Sequence, residues 1–251
     1  MKLLEIRRYP VKSMQGETIM HAQIEADGIT GDRCWGVRDE ATGKILTARR
    51  EPRLLHAAAT TVDGGQVVIT LPDGDVIGPG GQSAAVLSDW LGKPVSLVKS
   101  VEVPPSQAEF FADATDDSSE ALEWTMPAGR FVDAMPLLVL TTASLRTAAM
   151  HYPGGDWNPR RFRANLLLDV DSEGWPEDGW YGGPELRVGT ARLLPQQGCI
   201  RCTMVTRAQP EVGEDRDIFR TLAGKHGGLF GAWTAVAVAG SVSVGDDVTV
   251  S

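Results

Sequence analysis

Short β-strand patterns, broken by turn residues, dominate this chain and constrain its fold more than any other feature. Three stretches, HAQIEADGITGD (21–32), LHAAATTVDGGQVVITLPDGDVIGPG (55–80) and SVSVGDDVTVS (241–251), alternate β-branched or apolar residues with Gly, Asp and Pro. Alternation with a period of two between turn residues is typical of meandering antiparallel sheets. The sequence therefore predicts predominantly antiparallel β-structure, arranged as a barrel or a sandwich.

Helical patterns are confined to three short segments. They are SAAVLSDWLG (83–92), TTASLRTAAM (141–150) and DIFRTLA (217–223). Strands interleaved with occasional helices indicate an α+β protein rather than a doubly wound parallel sheet. A GxGxxG motif after a strand and a GxxxxGK[ST] motif are both absent from the sequence, so nicotinamide and P-loop nucleotide sites lose their main support.

Composition describes an ordinary globular protein. The chain has 251 residues, of which 42% are hydrophobic, enough to bury a full core as one large domain or two small ones. No stretch approaches the roughly 18 apolar residues of a membrane span, and the N-terminus lacks the apolar run of a signal peptide. Three cysteines are too few for a disulfide scaffold and suit a reducing compartment. We therefore expect a cytoplasmic protein without a membrane partner.

The chain carries a net negative charge, and part of this charge is concentrated in one segment. The formal net charge of −9 gives a nucleic-acid partner no electrostatic support. The segment 109–123, EFFADATDDSSEALE, carries six acidic residues and no basic residue. Such a run is typical of a solvated linker or loop. Its functional alternative is an acidic lid or a docking surface for a partner protein.

Cys199 and Cys202 form the CxxC of GCIRCTMV, the feature with the most chemistry in the chain. A tetrahedral zinc site needs two more Cys or His, and the remaining candidates do not form a second pair. A thioredoxin-type dithiol needs the motif to begin a helix, whereas CTMVTR (202–207) has the β-branched pattern of a strand. Two buried small residues are the structural alternative, which Arg201 disfavours because a guanidinium is awkward in a core. A single ligating or nucleophilic thiolate is the third possibility.

Several basic residues lie beside hydroxyl or amide groups in patterns that suit an anion. Lys12 and Ser13 follow a short N-terminal strand, where a point charge beside a hydroxyl can bind a phosphate, although a solvated loop has the same pattern. Arg33 belongs to GDRCWGV, and the arginines of TARREPRL (47–54) can be plain surface charge. Arg163 and Asn165 are two residues apart, so on a strand both would face the same way and could bind an anion and a heterocycle edge.

Taken together, these motifs resemble one protein family. They are YPVKSMQGE (9–17), GDRCWGV (31–37), TARREPRL (47–54), FRANLLLD (162–169), CIRCTMVTR (199–207) and GSVSVGDDV (240–248). In this order they resemble the MOSC-domain proteins with an N-terminal β-barrel partner domain, and within them the mitochondrial amidoxime reducing component and its bacterial relatives. The resemblance covers nearly the whole chain. It implies an N-terminal β-barrel domain at 1–105 and a MOSC β-barrel domain with short helices at 106–251.

What the resemblance implies about chemistry is a pterin-based molybdenum cofactor and an oxidoreductase that removes oxygen from N-hydroxylated or N-oxygenated small molecules. Cys202 matches the molybdenum ligand and Asp133 matches an aspartate near the metal. The cofactor-binding residues that it implies are Lys12, Ser13 and Arg33 at the phosphate end, Arg163 and Asn165 at the pterin, and Arg201 beside the thiolate. A soft metal needs a deprotonated soft ligand, and the cofactor phosphate needs cations, so this set is chemically consistent.

The sequence differs from the family pattern at several positions. Met14 replaces a cysteine that many relatives carry, and AMPLL after Asp133 lacks the hydroxyl residues of the mitochondrial proteins. Three cysteines cannot supply a four-cysteine iron–sulfur cluster and also leave Cys202 for molybdenum, and no flavin motif is present. We therefore expect electrons to come from a separate donor protein, with the acidic 109–123 segment as its docking surface.

Two other functions stay open at this point. A sulfur carrier or cofactor-sulfuration protein would hold activated sulfur on Cys202 as a persulfide. Nothing in this sequence supplies a pyridoxal-phosphate desulfurase domain, although pyridoxal-phosphate binding is associated with the family. A non-catalytic cofactor-binding module is the second alternative.

Two further residues have expected roles. Cys199 is expected to be a packed small residue or a thiol near the metal, with packing favoured. Trp157 is expected to pack in the core or, failing that, to line the substrate entrance.

Overall fold

The computed structural model describes residues 1–78, 82–111, 113, 116 and 119–251. These residues form two compact units, each assembled from separate stretches of the chain. The first unit comprises Met1–Arg7, Thr18–Thr30 and Met135–Ser251, and the second comprises Arg8–Glu17 and Gly31–Ala134. The residues before Gly31 therefore contribute to both units. The predicted domain boundary between residues 105 and 106 concerns family domains rather than compact units, and it stays a prediction.

The strands are β1 (Lys2–Arg8), β2 (Glu17–Ile19), β3 (His21–Glu25), β4 (Gly28–Ile29), β5 (Trp35–Asp39), β6 (Ala58–Val62), β7 (Gln66–Thr70), β8 (Val76–Ile77), β9 (Val95–Lys99), β10 (Gln107–Phe111), β11 (Ala121–Thr125), β12 (Leu137–Thr141), β13 (Leu166–Asp169), β14 (Leu186–Val188), β15 (Ala191–Ile200), β16 (Leu229–Val238), β17 (Gly240–Ser243) and β18 (Val248–Val250). The α-helices are α1 (Ser83–Leu91), α2 (Thr142–His151) and α3 (Arg216–His226).

Antiparallel pairing dominates both units, as the sequence predicts. An eight-stranded sheet has the order β18-β14-β15-β16-β12-β13-β1-β2, and a second sheet has the order β17-β3-β4. Within the larger sheet, β12 and β13 are parallel, whereas β1 with β13, β12 with β16 and β15 with β16 are antiparallel. The second unit contains the sheets β6-β7-β8, β5-β9 and β10-β11. The prediction of an α+β protein with mainly antiparallel sheets and short helices is confirmed.

The centre of the eight-stranded sheet is buried on both faces, which explains its continuous apolar runs. Along β13, Leu166 and Leu168 pack into one apolar cluster, while Leu167 packs into another. Successive strand residues point to opposite faces, so a strand covered on both sides needs apolar residues at every position. Ile218 and Phe219 of α3 belong to the same cluster as Leu167. Helix α3 therefore covers one face of the sheet.

The second unit has its own core. Val11, Leu54, Ile69 and Leu87 are completely buried and belong to one apolar cluster. This cluster draws residues from the N-terminal loop, β7 and α1, so the Lys12 loop is anchored by its apolar neighbours. A loop fixed by core packing can hold polar side chains in defined positions.

The three helices lie where the sequence predicts them, and their ends follow the rules of capping. Gly92 and Gly227 end α1 and α3 with φ angles of 64° and 59°, the left-handed conformation that glycine adopts without strain. Asp215 caps the start of α3 by accepting a hydrogen bond from Asp217 N at 3.0 Å. Short helices of this length need such caps and tertiary packing to be stable.

The strand predicted for CTMVTR is wrong. Residues Thr203–Thr206 form a 3₁₀ turn after β15 ends at Ile200. Val205 N donates to Cys202 O at 3.3 Å, and the Thr206 hydroxyl donates to Thr203 O at 2.7 Å, so the turn is closed by short-range bonds. Threonine hydroxyls bond to nearby backbone in this way as readily as they favour strands, which is why composition alone misled.

Part of the acidic segment 109–123 lies outside the described residues, namely 112, 114, 115, 117 and 118. At its described ends, Glu109 and Glu123 both pair with Lys44, at 2.7 and 2.8 Å, and Glu109 also pairs with Arg50 at 2.7 Å. These two carboxylates are thus partly neutralised within the second unit. Among the described residues, no helix is long and apolar enough to cross a membrane.

A buried carboxyl group holds the start of α2. Thr141 caps the helix by accepting a hydrogen bond from Ser144 N at 3.1 Å. The Glu177 carboxyl accepts from Thr141 N at 2.9 Å with one oxygen and from the Ser144 hydroxyl with the other. Burial raises the pKa of Glu177, and the hydrogen bonds from Ser144 and Thr141 only partly oppose this shift.

We expect Glu177→Gln to change how stability depends on pH. Because folding raises the pKa of Glu177, its contribution to the free energy of unfolding is complete below the ordinary value of 4.5 and is lost as the pH rises through the folded-state pKa. Wild-type stability minus variant stability should therefore fall with rising pH, by at most about 1.4 kcal/mol per pH unit. Urea unfolding from about pH 4 to about pH 8 measures this difference. A difference that is independent of pH would contradict the assignment.

Candidate functional site

Lys12 lies on the loop after β1, with its ammonium group held inside the second unit. Its side chain is 7% exposed, and Nζ donates to Phe131 O at 2.9 Å and to Asp133 Oδ1 at 2.7 Å. The backbone N of Phe131 in turn donates to Arg33 O at 2.9 Å. Phe131 therefore brings Lys12, Arg33 and Asp133 into one group of residues.

Asp133 links two cations. Its second carboxylate oxygen accepts from Arg49 Nη2 at 2.8 Å, and its side chain is 44% exposed. Burial alone would raise the pKa of Asp133, but Arg49 and Lys12 together hold it well below its usual range. Burial lowers the pKa of Lys12, and the Asp133 carboxylate opposes that shift. Asp133 is consequently an ionised carboxylate at neutral pH.

Ser13 and Arg33 have left-handed backbone conformations in the same unit, with φ angles of 70° and 50°. The Ser13 hydroxyl accepts a hydrogen bond from Ala48 N at 2.9 Å. The Arg33 guanidinium pairs with Asp32 and stacks over the Tyr9 ring, 4.9 Å from its centroid. Asp32 is buried and also accepts from Tyr9 N at 2.7 Å, so its carboxylate fixes both partners.

Arg163 and Asn165 lie at the mouth of a strand, just before β13, rather than on the strand itself. Pro159–Phe162 is a 3₁₀ turn, Arg163 ends it with a left-handed φ of 54°, and β13 begins only at Leu166. Asn165 is 1% exposed, and its amide accepts from Leu138 N at 3.1 Å and donates to Arg7 O at 3.3 Å. The Asn165 side chain thus bonds to the backbone of two neighbouring segments.

Cys202 lies two residues beyond β15, in an extended conformation that leads into the 3₁₀ turn Thr203–Thr206. Its thiol is not in a disulfide, and the residue is partly exposed. Arg201, immediately before it, is 8% exposed, although the sequence suggested that this arginine would be awkward in a core. Its guanidinium donates to Phe230 O at 2.6 and 2.9 Å and to Phe162 O at 2.9 Å. Backbone carbonyl groups make the burial of Arg201 possible because they accept its N–H groups.

Cys199 is buried on β15 in the apolar cluster that contains Phe162 and Phe230. The packing role expected for Cys199 is confirmed. Trp157 also packs there, with ring centroids 6.1 Å from both Phe162 and Phe230. The core role expected for this tryptophan is likewise confirmed.

Left-handed backbone marks the candidate residues more sharply than any side-chain property. In the part of the chain that the structure describes, the non-glycine residues with positive φ are Ser13, Arg33, Arg163 and Glu211. Such residues cost about 1–3 kcal/mol each and cluster at functional sites. Three of these four positions coincide with residues singled out by the sequence motifs.

The structure groups the candidate residues by unit. Lys12, Ser13, Arg33 and Asp133 belong to the second unit, and Arg163, Asn165, Arg201 and Cys202 belong to the first. Neither Arg49 nor Asp32 is among the site residues predicted from the sequence. Arg49 lay among neighbouring arginines without a signal of its own, whereas Asp32 directly precedes Arg33 and could have been recognised as its partner.

The donor set suits a phosphate-bearing group and a soft metal. Lys12, Arg33 and Arg49 supply cations, and Cys202 supplies a thiol that is not in a disulfide. Among the described residues, no group of three or more His, Cys, Asp or Glu side chains is placed to hold a metal ion. A surface cavity of about 310 Å³ is lined by 42–44 and 103–107 and contains none of the candidate residues.

We expect Asp133→Asn to destabilise the fold by about 1–2 kcal/mol at neutral pH, less than the loss of a fully buried ion pair because Asp133 is partly exposed. The pKa of Asp133 is depressed, so its stabilising effect is present above the ordinary value of 3.8 and is lost as the pH falls through the folded-state value. Urea unfolding at about pH 7 and about pH 3 should show a smaller difference between variant and wild type at the lower pH. Asp247→Asn, which breaks an exposed pair with Lys2, serves as the control and should change stability little at either pH. Equal effects of the two substitutions would contradict the role of Asp133.

A second prediction isolates the backbone strain at Arg163. Arg163→Gly and Arg163→Ala remove the same guanidinium, but only alanine keeps a Cβ in the left-handed region. The glycine variant should be more stable than the alanine variant by about 1 kcal/mol in urea unfolding. At Arg146 within α2, the same pair of substitutions should give the opposite order, because glycine destabilises a helix interior by about 0.5–1 kcal/mol relative to alanine. The same order at both sites would rule out strain at Arg163.

Comparison with known proteins agrees with the motifs. The model for the MOSC N-terminal beta barrel domain matches residues 1–89, and the model for the MOSC domain matches residues 128–249. Mitochondrial amidoxime-reducing component 1 from Xenopus laevis is 26% identical over 280 residues, covering 96% of this chain and 79% of that protein. Molybdenum cofactor sulfurase from Danio rerio is 25% identical over 270 residues, covering 90% of this chain but 31% of that protein.

The crystal structure of the YUAD protein from Bacillus subtilis aligns with 99% of this chain and 94% of its own, with a TM-score of 0.48 and 11% identity. That likeness is too weak to add to the assignment. The two domain models cover most of the chain in the order that the motifs predict. The chain is a member of the MOSC-domain family, with an MOSC N-terminal domain followed by an MOSC domain.

Proposed function

We propose that this protein binds a pterin-based molybdenum cofactor and reduces N-hydroxylated or N-oxygenated small molecules with electrons from a separate donor protein. The observation that carries the proposal is the state of Cys202. It is a free, partly exposed thiol that follows a buried arginine and precedes a defined turn. The relatives named amidoxime-reducing components match 96% of the chain, which supports the same chemistry here.

Cys202 would be the protein ligand of molybdenum. A thiolate is the soft donor that such a metal needs. When bound, the cofactor supplies two-electron oxygen-removal chemistry at molybdenum, while the protein supplies its binding and orientation. The turn that follows Cys202 fixes the backbone of this residue, so the thiol needs little further ordering to act as a ligand.

Lys12, Ser13 and Arg33 would hold the phosphate end of the cofactor. Lys12 and Arg33 lie in one cluster with Arg49, so positive charge is concentrated there although the whole chain carries a net charge of −9. A phosphate placed in this cluster would gain charge-assisted hydrogen bonds. Ser13 would present its backbone or hydroxyl from a left-handed position that ordinary loops avoid.

Asp133 would orient cations rather than transfer a proton. Its low pKa keeps it ionised at neutral pH, and both of its oxygens accept from Lys12 or Arg49. An ionised carboxylate without a proton is a poor general acid. We therefore assign to Asp133 the role of holding Lys12 and Arg49 in place.

Among the four predicted residues of the first unit, Arg163 is the one we assign to cofactor contact alongside Cys202. The Asn165 and Arg201 side chains bond to backbone groups, which suits supporting roles. Arg163 is buried and strained, and it directly follows Phe162, whose carbonyl accepts from the arginine before Cys202. A strained arginine suits an anionic or polar heterocycle.

The reduction of an N–OH group to an N–H group balances in atoms and in charge. An N–OH group, two electrons and two protons give an N–H group and water, so the oxygen leaves in water and the N–O bond is the bond that breaks. The electrons must come from a donor protein, since we expect neither an iron–sulfur cluster nor a flavin in this chain. The substrate itself is a small molecule, and a nucleic-acid partner is not expected for this acidic chain. The cytoplasmic location stays a prediction.

A sulfur carrier is the alternative that the relatives also support. The sulfurases match 90% and 86% of this chain, although the chain spans only about a third of their length. In that function Cys202 would carry sulfane sulfur supplied by a partner enzyme. A non-catalytic module is the weaker alternative, because the chain retains a free Cys202 and the Lys12 cluster. The carrier predicts little or no molybdenum, and so does a module whose fold has lost its cofactor.

We expect Cys202→Ser to abolish molybdenum binding or activity without unfolding the protein, since one partly exposed thiol contributes little to stability. The chain is expressed in a host that makes the cofactor, and molybdenum, pterin, zinc and sulfane sulfur are measured per chain. Wild type should contain molybdenum and pterin near one per chain, with the metal or its thiolate coordination lost in the variant. Reduction of N-hydroxylated compounds with reduced viologen then tests the activity.

Cys199→Ser is the matched control, because it alters the other cysteine of the same motif in a packed position. It should retain the metal. Equal loss of molybdenum in both variants would contradict the single-ligand assignment. Wild-type protein that carries sulfane sulfur instead of molybdenum would establish the carrier function in place of the reductase.

A further inference from the structure

Arg161 is a fully buried arginine whose guanidinium binds backbone carbonyl groups from three segments. Its side chain is 1% exposed. Nε donates to Asp156 O at 2.7 Å, Nη2 to Gly213 O at 2.8 Å and Nη1 to Val205 O at 3.3 Å. The Asp156 carboxylate lies 3.6 Å from Nη2 as the acidic neighbour. A rigid guanidinium that binds three carbonyls fixes the three segments relative to one another.

Arg201 makes the reciprocal contact. It precedes Cys202 and donates to the carbonyl of Phe162, which ends the turn containing Arg161. Arg161 in turn donates to the carbonyl of Val205, inside the turn that follows Cys202. An arginine in or next to each turn therefore donates a hydrogen bond to a carbonyl group of the other turn.

The turn after Cys202 needs this support. It comprises only Thr203–Thr206, and an isolated 3₁₀ turn of this length is not stable in water. Asp215 N, at the start of α3, donates to Thr206 O at 2.8 Å and holds the far end of the turn. Arg161 holds its middle through Val205. The Cys202 backbone lies between these anchors and the Arg201 contacts.

We propose that Arg161 is a positioning residue for Cys202, acting through the Val205 carbonyl. It does not touch the thiol in this assignment; it keeps the turn closed so that Cys202 and Arg163 are presented together. This role rests on the proposed function for its biological meaning. Its physical content, a turn held closed by a side chain, is independent of whether a cofactor binds.

The test compares the alkylation rates of individual cysteines by iodoacetamide in the full-length, cofactor-free chain, resolved by peptide mass spectrometry. Arg161→Met keeps the length of the side chain and removes all its donors. Opening of the turn should accelerate alkylation of Cys202 by about tenfold, the factor that corresponds to about 1.4 kcal/mol of lost closure. Cys199 is the internal reference, because it is buried three residues away in the same unit.

The two cysteines separate positioning from general stability. If Arg161 merely stabilises the fold, the alkylation rates of Cys199 and Cys202 rise together, and the proposal is overturned. An unchanged Cys202 rate in a folded Arg161→Met protein overturns it as well. Selective acceleration at Cys202 supports it. Arg146→Met, which removes a guanidinium that donates to the carbonyls of Val170 and Ser172, is the matched control and should leave both rates unchanged.

Arg161→Lys covers the case in which the methionine variant fails to fold. Lysine keeps the charge but lacks the planar fork, so Cys202 should be alkylated faster than in wild type and Cys199 should not. The molar ratio of molybdenum to pterin, measured in protein purified from a host that makes the cofactor, gives a second readout. We expect a lower ratio in both Arg161 variants than in wild type. Absence of molybdenum from the wild type would refute the proposed function, while the alkylation rates would still decide the role of Arg161.

Discussion

The candidate residues lie on turns outside the β-ladders, and the buried carbonyl groups of those turns need hydrogen-bond donors. Sheet strands satisfy their backbone by pairing, but the turns before Arg163 and after Cys202 cannot. Arg201 donates to the carbonyl of Phe162 in the first turn, and Arg161 donates to the carbonyl of Val205 in the second. Cationic side chains thus take the place of ladder bonds. This requirement explains why a protein with a net charge of −9 buries several basic residues.

The same requirement links stability to function. A buried cation is tolerated only where acceptors surround it, so every such residue fixes the backbone that supplies those acceptors. The strain at Ser13, Arg33 and Arg163 fits this picture, because left-handed non-glycine residues persist only when their surroundings over-determine them. Arg33 is held by Asp32 and Tyr9, and the Arg163 turn is held by Arg201 through Phe162. Rigid positions of this kind suit a cofactor that must be oriented rather than chemically assisted.

Much of the fold could be predicted from the sequence, because strand alternation, helix periodicity and turn residues are local signals. The helices α1, α2 and α3 lie where the pattern places them, and the runs at β12 and β13 reflect burial on both faces. Two expectations about the site failed for one reason. The strand at CTMVTR and the exclusion of Arg201 from the core both required knowledge of tertiary partners. No local pattern reveals that Phe162 O and Phe230 O will accept from Arg201.

Cys199 and Cys202 have different environments because the backbone conformation differs at the two positions. The CxxC spacing alone therefore does not determine the role of either cysteine. Cys199 is a strand residue in a register that points it into the apolar cluster, so its thiol behaves as a small hydrophobic group. Between the two cysteines the strand ends, Ile200 is 63% exposed and Arg201 turns inward. Cys202 consequently enters a turn with its thiol partly accessible. A dithiol centre needs both cysteines in equivalent, accessible positions at the start of a helix, and this motif has one buried cysteine and a 3₁₀ turn instead. The geometry therefore favours a single reactive or ligating thiol, whichever group it binds.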